Sequence, residues 1–321
     1  MVIGLGSGPE FDLIRRFLHG ADPQRPEVRV GPGDDAAVVA ADGVVLTVDM
    51  AVEDVHFRRG WIDDRELGYR SAAAAISDLA AMAARPIGVL ASLALGPGHE
   101  EGAGEAVMRG VRAAAEDVGA VLLGGDLSRS PGPLVLDIVA IGEAAAPVLR
   151  SGAAPGDEVW VTGELGAAAS AVEAWLRGEE PEPAARAAFA RPRPRIREAS
   201  WLAERGLCSA LVDLSDGIAG DADHLAAASG VRVVVEATWL PVAAVAAGPD
   251  GIRLAASGGE DYELCFTARP SRVGAVAAEF ERRFDIRLTR VGRVEAGSGA
   301  VVVDGRGEPI PVRAYQHWRL A

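Results

Sequence analysis

The sequence predicts a two-domain protein of the α+β class. Its 321 residues exceed the usual size of a single domain and leave ample chain for sizeable cores. Segments with the periodicity of strands and of helices occur in both halves of the chain. Between the halves, Pro147, Gly152 and Pro155 form a cluster that is typical of an exposed connection. We therefore predict an N-terminal domain over residues 1–147 and a C-terminal domain over residues 148–321.

The N-terminal half alternates amphipathic helical segments with short apolar runs. The helical spacing of Phe11 and Ile14 indicates an amphipathic helix near the start. Asp63 or Asp64 is placed to cap a long alanine-rich helix, and Gly119 is placed to end the next one. The predicted elements are a helix over 9–19, two strands within 36–49 joined by a turn, a helix over 64–84, a strand over 88–95, a helix over 102–118, and strands over 120–123 and 134–142.

The C-terminal half repeats the same kind of alternation. Its apolar runs predict strands, and its longer amphipathic segments predict helices. The segment 178–194 is rich in proline, arginine and glutamate, which indicates an exposed connection. The predicted strands cover 158–162, 209–214, 231–236, 262–267, 288–294 and 300–303. One predicted helix follows the turn 163–166 and ends at 176. The other predicted helices cover 196–205, 218–228 and 271–284.

Charge balance and residue usage exclude several classes of function. A net charge of -14 argues against direct binding of nucleic acid or of an anionic membrane. All 32 basic residues are arginine, so the chain lacks a Walker A lysine and a Schiff-base lysine. No apolar run approaches the roughly 18 residues of a membrane span, and the first residues lack the pattern of a signal peptide. We expect a cytoplasmic protein in which Cys208 and Cys265 are buried free thiols.

Aspartates recur in short clusters, beside glycine or serine and at the ends of apolar runs. Carboxylates are the oxygen ligands that Mg²⁺ prefers, and glycine lets the backbone approach a ligand closely. If these clusters converge in the fold, they create a phosphate site with several metal ions. The clusters are Asp34–Asp35, Asp49, Asp78, Asp126, Asp213 with Asp216, and Glu260–Asp261.

Two of these clusters are difficult to explain by local structure alone. Asp78 interrupts an otherwise apolar helix, where an unpaired buried carboxylate is costly, so an ion or a hydrogen-bond donor should meet it. Asp213 and Asp216 flank Ser215 at a strand-to-helix turn. Capping of the helix by Ser215 or Asp216 is the structural alternative, and it explains one carboxylate but not both.

Four other positions have a functional interpretation, and two of them, Asp34 and His56, also have a structural one. Asp34 follows a Pro–Gly turn, where it is placed either to cap the next element or to bind metal. Gly125 follows a strand and would let the backbone approach a phosphate or a base. The turn 163–166 opens a helix, where free N–H groups favour anions. His56 follows an acidic pair and is either a structural histidine or part of a site.

Together these motifs resemble the thiamine-monophosphate kinase family, within the aminoimidazole-ribonucleotide-synthetase-like superfamily of ATP-using enzymes. The resemblance extends from about Glu10 to Trp318. It rests on Gly-Asp-Asp-Ala-Ala-Val, Val-Asp-Met-x-Val-Glu-x-Val-His-Phe, Ser-Asp-Leu-Ala-Ala-Met, Gly-Gly-Asp, Asp-Leu-Ser-Asp-Gly and Ser-Gly-Gly-Glu-Asp-Tyr-Glu-Leu. It implies a two-domain PurM-like architecture: an N-terminal sheet-and-helix domain that pairs in a homodimer and a C-terminal α/β sandwich domain.

The resemblance also implies a reaction and a role for individual residues. The reaction is ATP-dependent phosphorylation of thiamine monophosphate to thiamine diphosphate, by in-line transfer assisted by several Mg²⁺ ions, without a protein general base. The implied magnesium positions are Asp34, Thr47, Asp49, Asp78, Asp126, Asp213 and Asp216. The implied ATP positions are Gly125, Asp126, Arg150 and Ser215. The implied contacts with thiamine monophosphate are His56, Glu260 and Trp318, and an aromatic face also suits a flat cationic heterocycle.

Three residues depart from the family pattern without removing a carboxylate. Val48 stands in place of a common threonine, Met108 in place of a frequent tyrosine and Leu127 in place of the usual threonine. Sibling chemistries of the superfamily and a non-catalytic nucleotide-sensing protein remain as alternatives. Selenide activation and hydrogenase maturation are disfavoured, because neither the glycine-rich start nor the end of the chain contains a cysteine. Ring closure is disfavoured by the Val-Glu-Asp-Val-His-Phe segment.

Overall fold

The computed structural model describes Arg16 and residues 27–30, 38–40, 42–99 and 102–312. The chain forms two compact units, of which the first extends to Ala146 and the second begins at Pro147. The segment Ala80–Ala83 is grouped with the second unit. Both units contain helices and sheets, which confirms the predicted α+β class. Asp34, Trp318 and the predicted helix over 9–19, apart from Arg16, lie outside the described residues.

The described part of the first unit combines two sheets with two helices. Its elements are β1 (Val28–Val30), β2 (Val38–Val39), β3 (Val44–Val52), α1 (Asp64–Ala81), β4 (Arg85–Leu95), α2 (Ala103–Asp117), β5 (Val121–Arg129) and β6 (Val135–Glu143). The main sheet has the order β3-β6-β4-β5, in which only β4 and β5 run parallel. β1 and β2 form a separate antiparallel pair.

Local signals in the sequence set the ends of the two helices. The Asp63 carboxylate accepts a hydrogen bond from the Glu66 amide at 2.7 Å, and the Asp63 amide donates to Glu66 Oε2 at 3.0 Å. This reciprocal capping box begins α1 and confirms Asp63 as its N-cap. At the end of α2, Gly119 has a φ of 73°. The amides of Gly119 and Ala120 bond back to carbonyls of the last helical turn, which ends the helix as predicted.

α1 and α2 approach each other closely at two glycines. A Cβ atom on Gly68 would lie 1.8 Å from the carbonyl oxygen of Val107. A Cβ atom on Gly110 would lie 1.9 Å from the carbonyl oxygen of Arg65. Neither distance is sterically possible, so the two helix backbones lie in direct contact and leave no space for a side chain between them.

Replacing Gly110 with alanine is expected to lower the free energy of unfolding by about 1–3 kcal/mol, the usual cost of forcing extra volume into a packed core. Urea or thermal unfolding of the purified protein measures the change. Gly274→Ala is the matched control, because a Cβ atom at Gly274 meets no atom within 4 Å. Equal stability of the two variants would contradict the close approach of the helices.

The main sheet of the first unit has one covered face and one open face. Leu136, Ile138 and Ala140 of β6 are fully buried on the covered side, where Leu79 of α1 packs against Gly142. On the other side, β3 exposes a row of apolar side chains. The exposed fractions are 50% for Val44, 64% for Leu46, 62% for Val48 and 50% for Met50. This side is called the open sheet face below.

The second unit is built around a six-stranded sheet. Its strands are β7 (Glu158–Thr162), β8 (Ala210–Asp213), β9 (Arg232–Glu236), β10 (Leu264–Ala268), β11 (Leu288–Glu295) and β12 (Gly299–Val303). Its helices are α3 (Ala167–Leu176), α4 (Pro183–Ala190), α5 (Ile196–Glu204), α6 (Ile218–Ser229), α7 (Gly251–Ser257) and α8 (Ala277–Phe284). The strand order is β12-β9-β11-β7-β10-β8, in which only β12 and β9 run parallel. Ile218 and Leu225 of α6 belong to the apolar core that includes residues of this sheet.

Several elements differ from the sequence prediction. β5 extends from Val121 to Arg129, so Gly125 and Asp126 lie inside this strand, whereas the sequence predicts that they follow it. β4 begins at Arg85, so Pro86 lies inside the strand, at a register irregularity that precedes the pairing with β5. The segment 178–194 contains α4, because Pro183 suits the first turn of a helix and Phe189 is buried against Trp175. Residues 271–276 form turns, so α8 begins only at Ala277. The sequence patterns do not predict α7.

Both cysteines are free thiols, as predicted. Cys265 is buried, whereas Cys208 is partly exposed as a residue. Burial nevertheless raises the pKa of the Cys208 thiol to about 12. Within the described part of the chain, no helix has the length and apolar character needed to cross a bilayer.

Candidate active site

Thr47, Asp49 and Asp78 are brought to the covered side of the first sheet. Thr47 and Asp49 alternate along β3 and pair with Ala140 and Ile138, which are buried on that side. The hydroxyl of Thr47 donates a hydrogen bond to Asp78 Oδ2 at 2.5 Å. The donor expected for the carboxylate of Asp78 is therefore present. All three residues are half-buried, so their oxygens remain within reach of a ligand.

Asp126 lies on the other face of the same sheet. It pairs with Ser92, Ser92 pairs with Asp137, and Asp137 pairs with Met50 of the open sheet face. Directly paired residues share one face of a sheet, so Asp126 belongs to the open sheet face. It is also three strands away from β3, about 14 Å at the usual strand spacing. Within one chain, the sheet therefore separates Asp126 from Asp49.

Gly125 comes directly before Asp126 in β5 and lies close to the backbone of β4. A Cβ atom on Gly125 would lie 1.8 Å from the carbonyl oxygen of Ala91. Only glycine fits at this position, because the clash involves main-chain atoms that cannot rotate away. Packing of the strand alone thus accounts for the glycine, and a close approach to nucleotide stays a prediction.

His56 lies in a turn that is fixed by a buried acid. The Val52 amide donates to His56 Nδ1 at 3.0 Å, so a neutral ring carries its proton on Nε2. Glu53 accepts hydrogen bonds from the Leu134 amide at 2.9 Å and from Arg59 Nε at 3.0 Å. Burial alone would raise the pKa of Glu53, but these two donors outweigh it and lower the pKa. Glu53 therefore holds the turn that presents His56.

The turn after β8 collects acidic residues of the second unit. Asp213 is buried at the end of the strand, and Ser215 and Asp216 follow in the turn. The N-cap of α6 is Gly217, without a capping hydrogen bond from any side chain. The structural alternative, a cap by Ser215 or Asp216, is therefore wrong. The Asp216 amide instead donates to Asp221 Oδ2, one turn into the helix, at 3.1 Å.

Asp221 and His224 are candidate site residues that the sequence patterns above do not identify. Burial, followed by repulsion from Asp213 and Asp216, raises the pKa of Asp221 to about 8, against the opposing charge of Arg150. Ligand atoms of Asp216, Asp221 and His224 all lie within 4.8 Å of one another, the one set of three or more of this kind within the described residues. The spacing Asp221-x-x-His224 places both on one helical face, and this spacing is the signal that could have identified them.

Glu260 lies against the same turn, in a backbone conformation unusual for a residue other than glycine. Its amide donates to the carbonyl oxygen of Ser215 at 2.8 Å, and the Tyr262 amide donates to that of Leu214 at 2.8 Å. Glu260 and Tyr262 have φ values of 66° and 50°. The second unit therefore brings Ser215, Glu260 and the acidic residues of the turn together. Arg150 lies near enough for its charge to affect Asp221.

The turn 163–166 does not offer a free anion site. The Gly166 amide, at the start of α3, donates to Asp261 Oδ1 at 2.9 Å, so a carboxylate of the chain itself already occupies that helix end. A Cβ atom on Gly163 would lie 2.3 Å from the Glu263 carboxylate. The two glycines of this turn thus accommodate acids from the segment around Glu260.

Family models match both halves of the chain. The model described as 'AIR synthase related protein, N-terminal domain' matches residues 33–144. The model described as 'AIR synthase related protein, C-terminal domain' matches residues 154–305. Thiamine-monophosphate kinase of Mycobacterium tuberculosis (strain ATCC 25618 / H37Rv) is 36% identical over 309 residues, covering 92% of this chain and 88% of that protein.

Solved structures share the fold at similar identity. Thiamine-monophosphate kinase from Stenotrophomonas maltophilia K279a superposes with a TM-score of 0.81 at 34% identity, covering 95% of this chain and 98% of that one. AaThiL complexed with AMPPCP and TMP superposes with a TM-score of 0.75 at 30% identity, covering 96% of this chain and 95% of that one. The fold and the two matched domains define a PurM-like protein of the AIR synthase related class. Within that class, the chain belongs to the thiamine-monophosphate kinase family.

Proposed function

We propose that the chain catalyses the ATP-dependent phosphorylation of thiamine monophosphate to thiamine diphosphate, by direct in-line transfer assisted by several Mg²⁺ ions. The observation that supports it most strongly is the hydrogen bond from the Glu260 amide to the carbonyl oxygen of Ser215. This bond joins Glu260, which the family resemblance implies contacts thiamine monophosphate, to Ser215, which the resemblance implies contacts ATP. The complex of the related AaThiL with AMPPCP and TMP supports the same pair of ligands.

The acceptor in this reaction is a phosphate, which explains why no protein base is required. The second pKa of a phosphate monoester is about 6, so the acceptor is largely anionic near neutral pH. The main barrier is repulsion between two polyanions, and Mg²⁺, when bound, neutralises charge on the phosphate oxygens. In a chain without lysine, arginines such as Arg150 supply the remaining positive charge, and backbone amides supply neutral hydrogen-bond donors.

The residues proposed to hold Mg²⁺ offer the oxygen donors that this ion prefers. They are Asp34, Thr47, Asp49, Asp78, Asp126, Asp213 and Asp216. Burial, and then repulsion from Asp213 and Asp216, raises the pKa of Asp221, and a divalent cation would relieve that repulsion. The donor chemistry of these residues therefore fits the ion.

The proposed contacts with thiamine monophosphate divide by charge. A neutral His56 carries its proton on Nε2, where it can donate to a phosphate oxygen. The carboxylate of Glu260 suits the cationic heterocycle. Trp318, which lies outside the described residues, is proposed to stack on the flat ring of that heterocycle.

Product formation tests the proposal directly. Purified protein is given ATP, Mg²⁺ and thiamine monophosphate, with free thiamine as the alternative acceptor and a chelator as the metal control. We expect thiamine diphosphate and ADP only with the monophosphate and with metal. ATP binding without any product would contradict the proposal and favour a sibling chemistry or a sensing role.

We further propose that the protein is a homodimer in which two open sheet faces pack together. A contiguous row of exposed apolar side chains on a sheet commonly marks an interface between proteins. Val48 pairs with Val139, and Leu46 pairs with Ile141, so the apolar surface extends from β3 onto β6. In such a dimer Asp126 would lie at the interface. The cytoplasmic location and the absence of a nucleic-acid partner stay predictions of the sequence.

Replacing Val48 with glutamate is expected to produce a monomer, because each copy would bury a charge in an apolar interface. Sedimentation velocity or light scattering measures the mass of the wild type and the variant. Leu176→Glu is the matched control, since Leu176 is 56% exposed but belongs to α3 of the second unit and is not part of the open sheet face. A wild-type monomer, or a dimer that tolerates Val48→Glu, would contradict this interface.

A further inference from the structure

We propose that Tyr262 is a positioning residue, which holds the carboxylate of Glu260 in the orientation that recognises the cationic heterocycle of the acceptor. This inference rests on the proposed function, in which Glu260 contacts thiamine monophosphate. Tyr262 itself need not touch the ligand. Its role is to restrict the rotation of a neighbouring acid.

The contact between the two side chains is short and well supported. The hydroxyl of Tyr262 donates a hydrogen bond to Glu260 Oε2 at 2.7 Å. Tyr262 is 7% exposed, so its ring is fixed by the surrounding protein. A glutamate side chain has several rotatable bonds and loses considerable rotational entropy when it binds a ligand. A bond from a fixed hydroxyl reduces that loss in advance, because the carboxylate is already oriented.

The backbone of this turn is held without the help of the hydroxyl. The amides of Glu260 and Tyr262 donate to the carbonyl oxygens of Ser215 and Leu214. A Cβ atom on Gly259 would lie 2.5 Å from the carbonyl oxygen of Ser215, so the turn lies directly on the neighbouring segment. Removing the hydroxyl should therefore leave the turn in place and release only the side chain of Glu260.

The neighbouring acid is engaged elsewhere. Asp261 Oδ1 accepts a hydrogen bond from the Gly166 amide, at the start of α3. The two adjacent carboxylates thus have separate partners within the fold. A hydrogen bond to Glu260 from a neutral hydroxyl orients the carboxylate and preserves its negative charge, which is what a cationic ligand requires.

The test measures affinity and turnover in Tyr262→Phe. Calorimetry with thiamine monophosphate, in the presence of Mg²⁺ and a non-hydrolysable ATP analogue, is expected to show about two- to tenfold weaker binding, because the variant must immobilise the free Glu260 side chain when the ligand binds. KM for thiamine monophosphate should rise by a similar factor, while kcat and KM for ATP change little. Tyr69→Phe is the matched control, because it removes a hydroxyl that donates to Asp117 at 2.9 Å in the first unit.

A double-mutant cycle with Glu260→Ala separates positioning from direct contact, because alanine removes the acceptor of the Tyr262 hydrogen bond. If Tyr262 acts through Glu260, the Tyr262→Phe change should weaken binding far less in the Glu260→Ala background. Additive losses, unchanged affinity in Tyr262→Phe, or a fall in kcat at unchanged affinity would overturn the inference. A wild type that does not bind thiamine monophosphate would overturn the proposed function itself. A wild type that binds it, with an unaffected Tyr262→Phe variant, would overturn only the positioning role.

Discussion

Asparagine in place of Asp78 is expected to lower turnover by about 10²–10³-fold, because the loss of this proposed metal ligand would remove several kcal/mol of charge stabilisation from the transition state. The fold should survive the change. Thr47 Oγ1 donates to Asp78 Oδ2, and the amide oxygen of asparagine can accept the same hydrogen bond. Steady-state production of thiamine diphosphate over a range of Mg²⁺ concentrations measures the effect. The variant should require more Mg²⁺ for half-maximal rate.

Asp117→Asn provides the control for this substitution. Asp117 also accepts a hydrogen bond from a hydroxyl, that of Tyr69, but it has no proposed role in metal binding. Its variant should retain nearly full activity with an unchanged dependence on Mg²⁺. Wild-type turnover in Asp78→Asn, with both variants equally folded by circular dichroism, would remove Asp78 from the mechanism.

Replacing Arg195 with methionine is expected to destabilise the second unit by about 3–5 kcal/mol, the typical result of leaving one partner of a buried ion pair alone. Glu263 is buried and accepts two hydrogen bonds from the Arg195 guanidinium. Nε donates to Oε2 at 2.8 Å, and Nη2 donates to Oε1. The hydroxyl of Thr162 donates to the same oxygen at 2.6 Å. Without Arg195, the negative charge of Glu263 would remain buried with only neutral donors. Urea unfolding measures the loss.

An exposed ion pair supplies the comparison for this prediction. Arg177 lies 2.9 Å from Glu179, and the two side chains are 56% and 59% exposed. Arg177→Met should cost at most about 1 kcal/mol, because water screens and solvates such pairs. If Arg195→Met unfolds at the same urea concentration as Arg177→Met, the buried pair does not contribute as described.

Local signals were sufficient to predict some elements and insufficient for others. The start of α1 could be predicted from Asp63, and the end of α2 from Gly119, because both signals act within one helical turn. α4 escaped prediction because the glutamate, proline and arginine residues on both sides of it indicate a loop, although the helix itself is a short alanine-rich run. The packing of Phe189 against Trp175 is tertiary, so the sequence pattern alone does not predict it.

The candidate site shows the same division. Because Asp78 interrupts an apolar helix, the sequence predicts that its carboxylate needs a hydrogen-bond donor. In the structure Thr47 is that donor. The placement of Asp126 on the open sheet face depends on the order and register of four strands, which the sequence does not reveal. Asp221 lies one helical turn beyond Asp216, and its proximity depends on how the chain turns between them.

β3 carries two proposed roles along a single extended segment, metal binding on one face and subunit association on the other. Thr47 and Asp49 point to one side, and Leu46, Val48 and Met50 point to the other. A substitution therefore alters one face at a time. The deletion of a single residue would instead shift the register of the strand by one position, so that both rows of side chains would point to the opposite face of the sheet. The proposed metal binding and the proposed subunit association would then be lost together. In this strand, the alternation of side chains between the two faces of the sheet matters more than the identity of any one side chain.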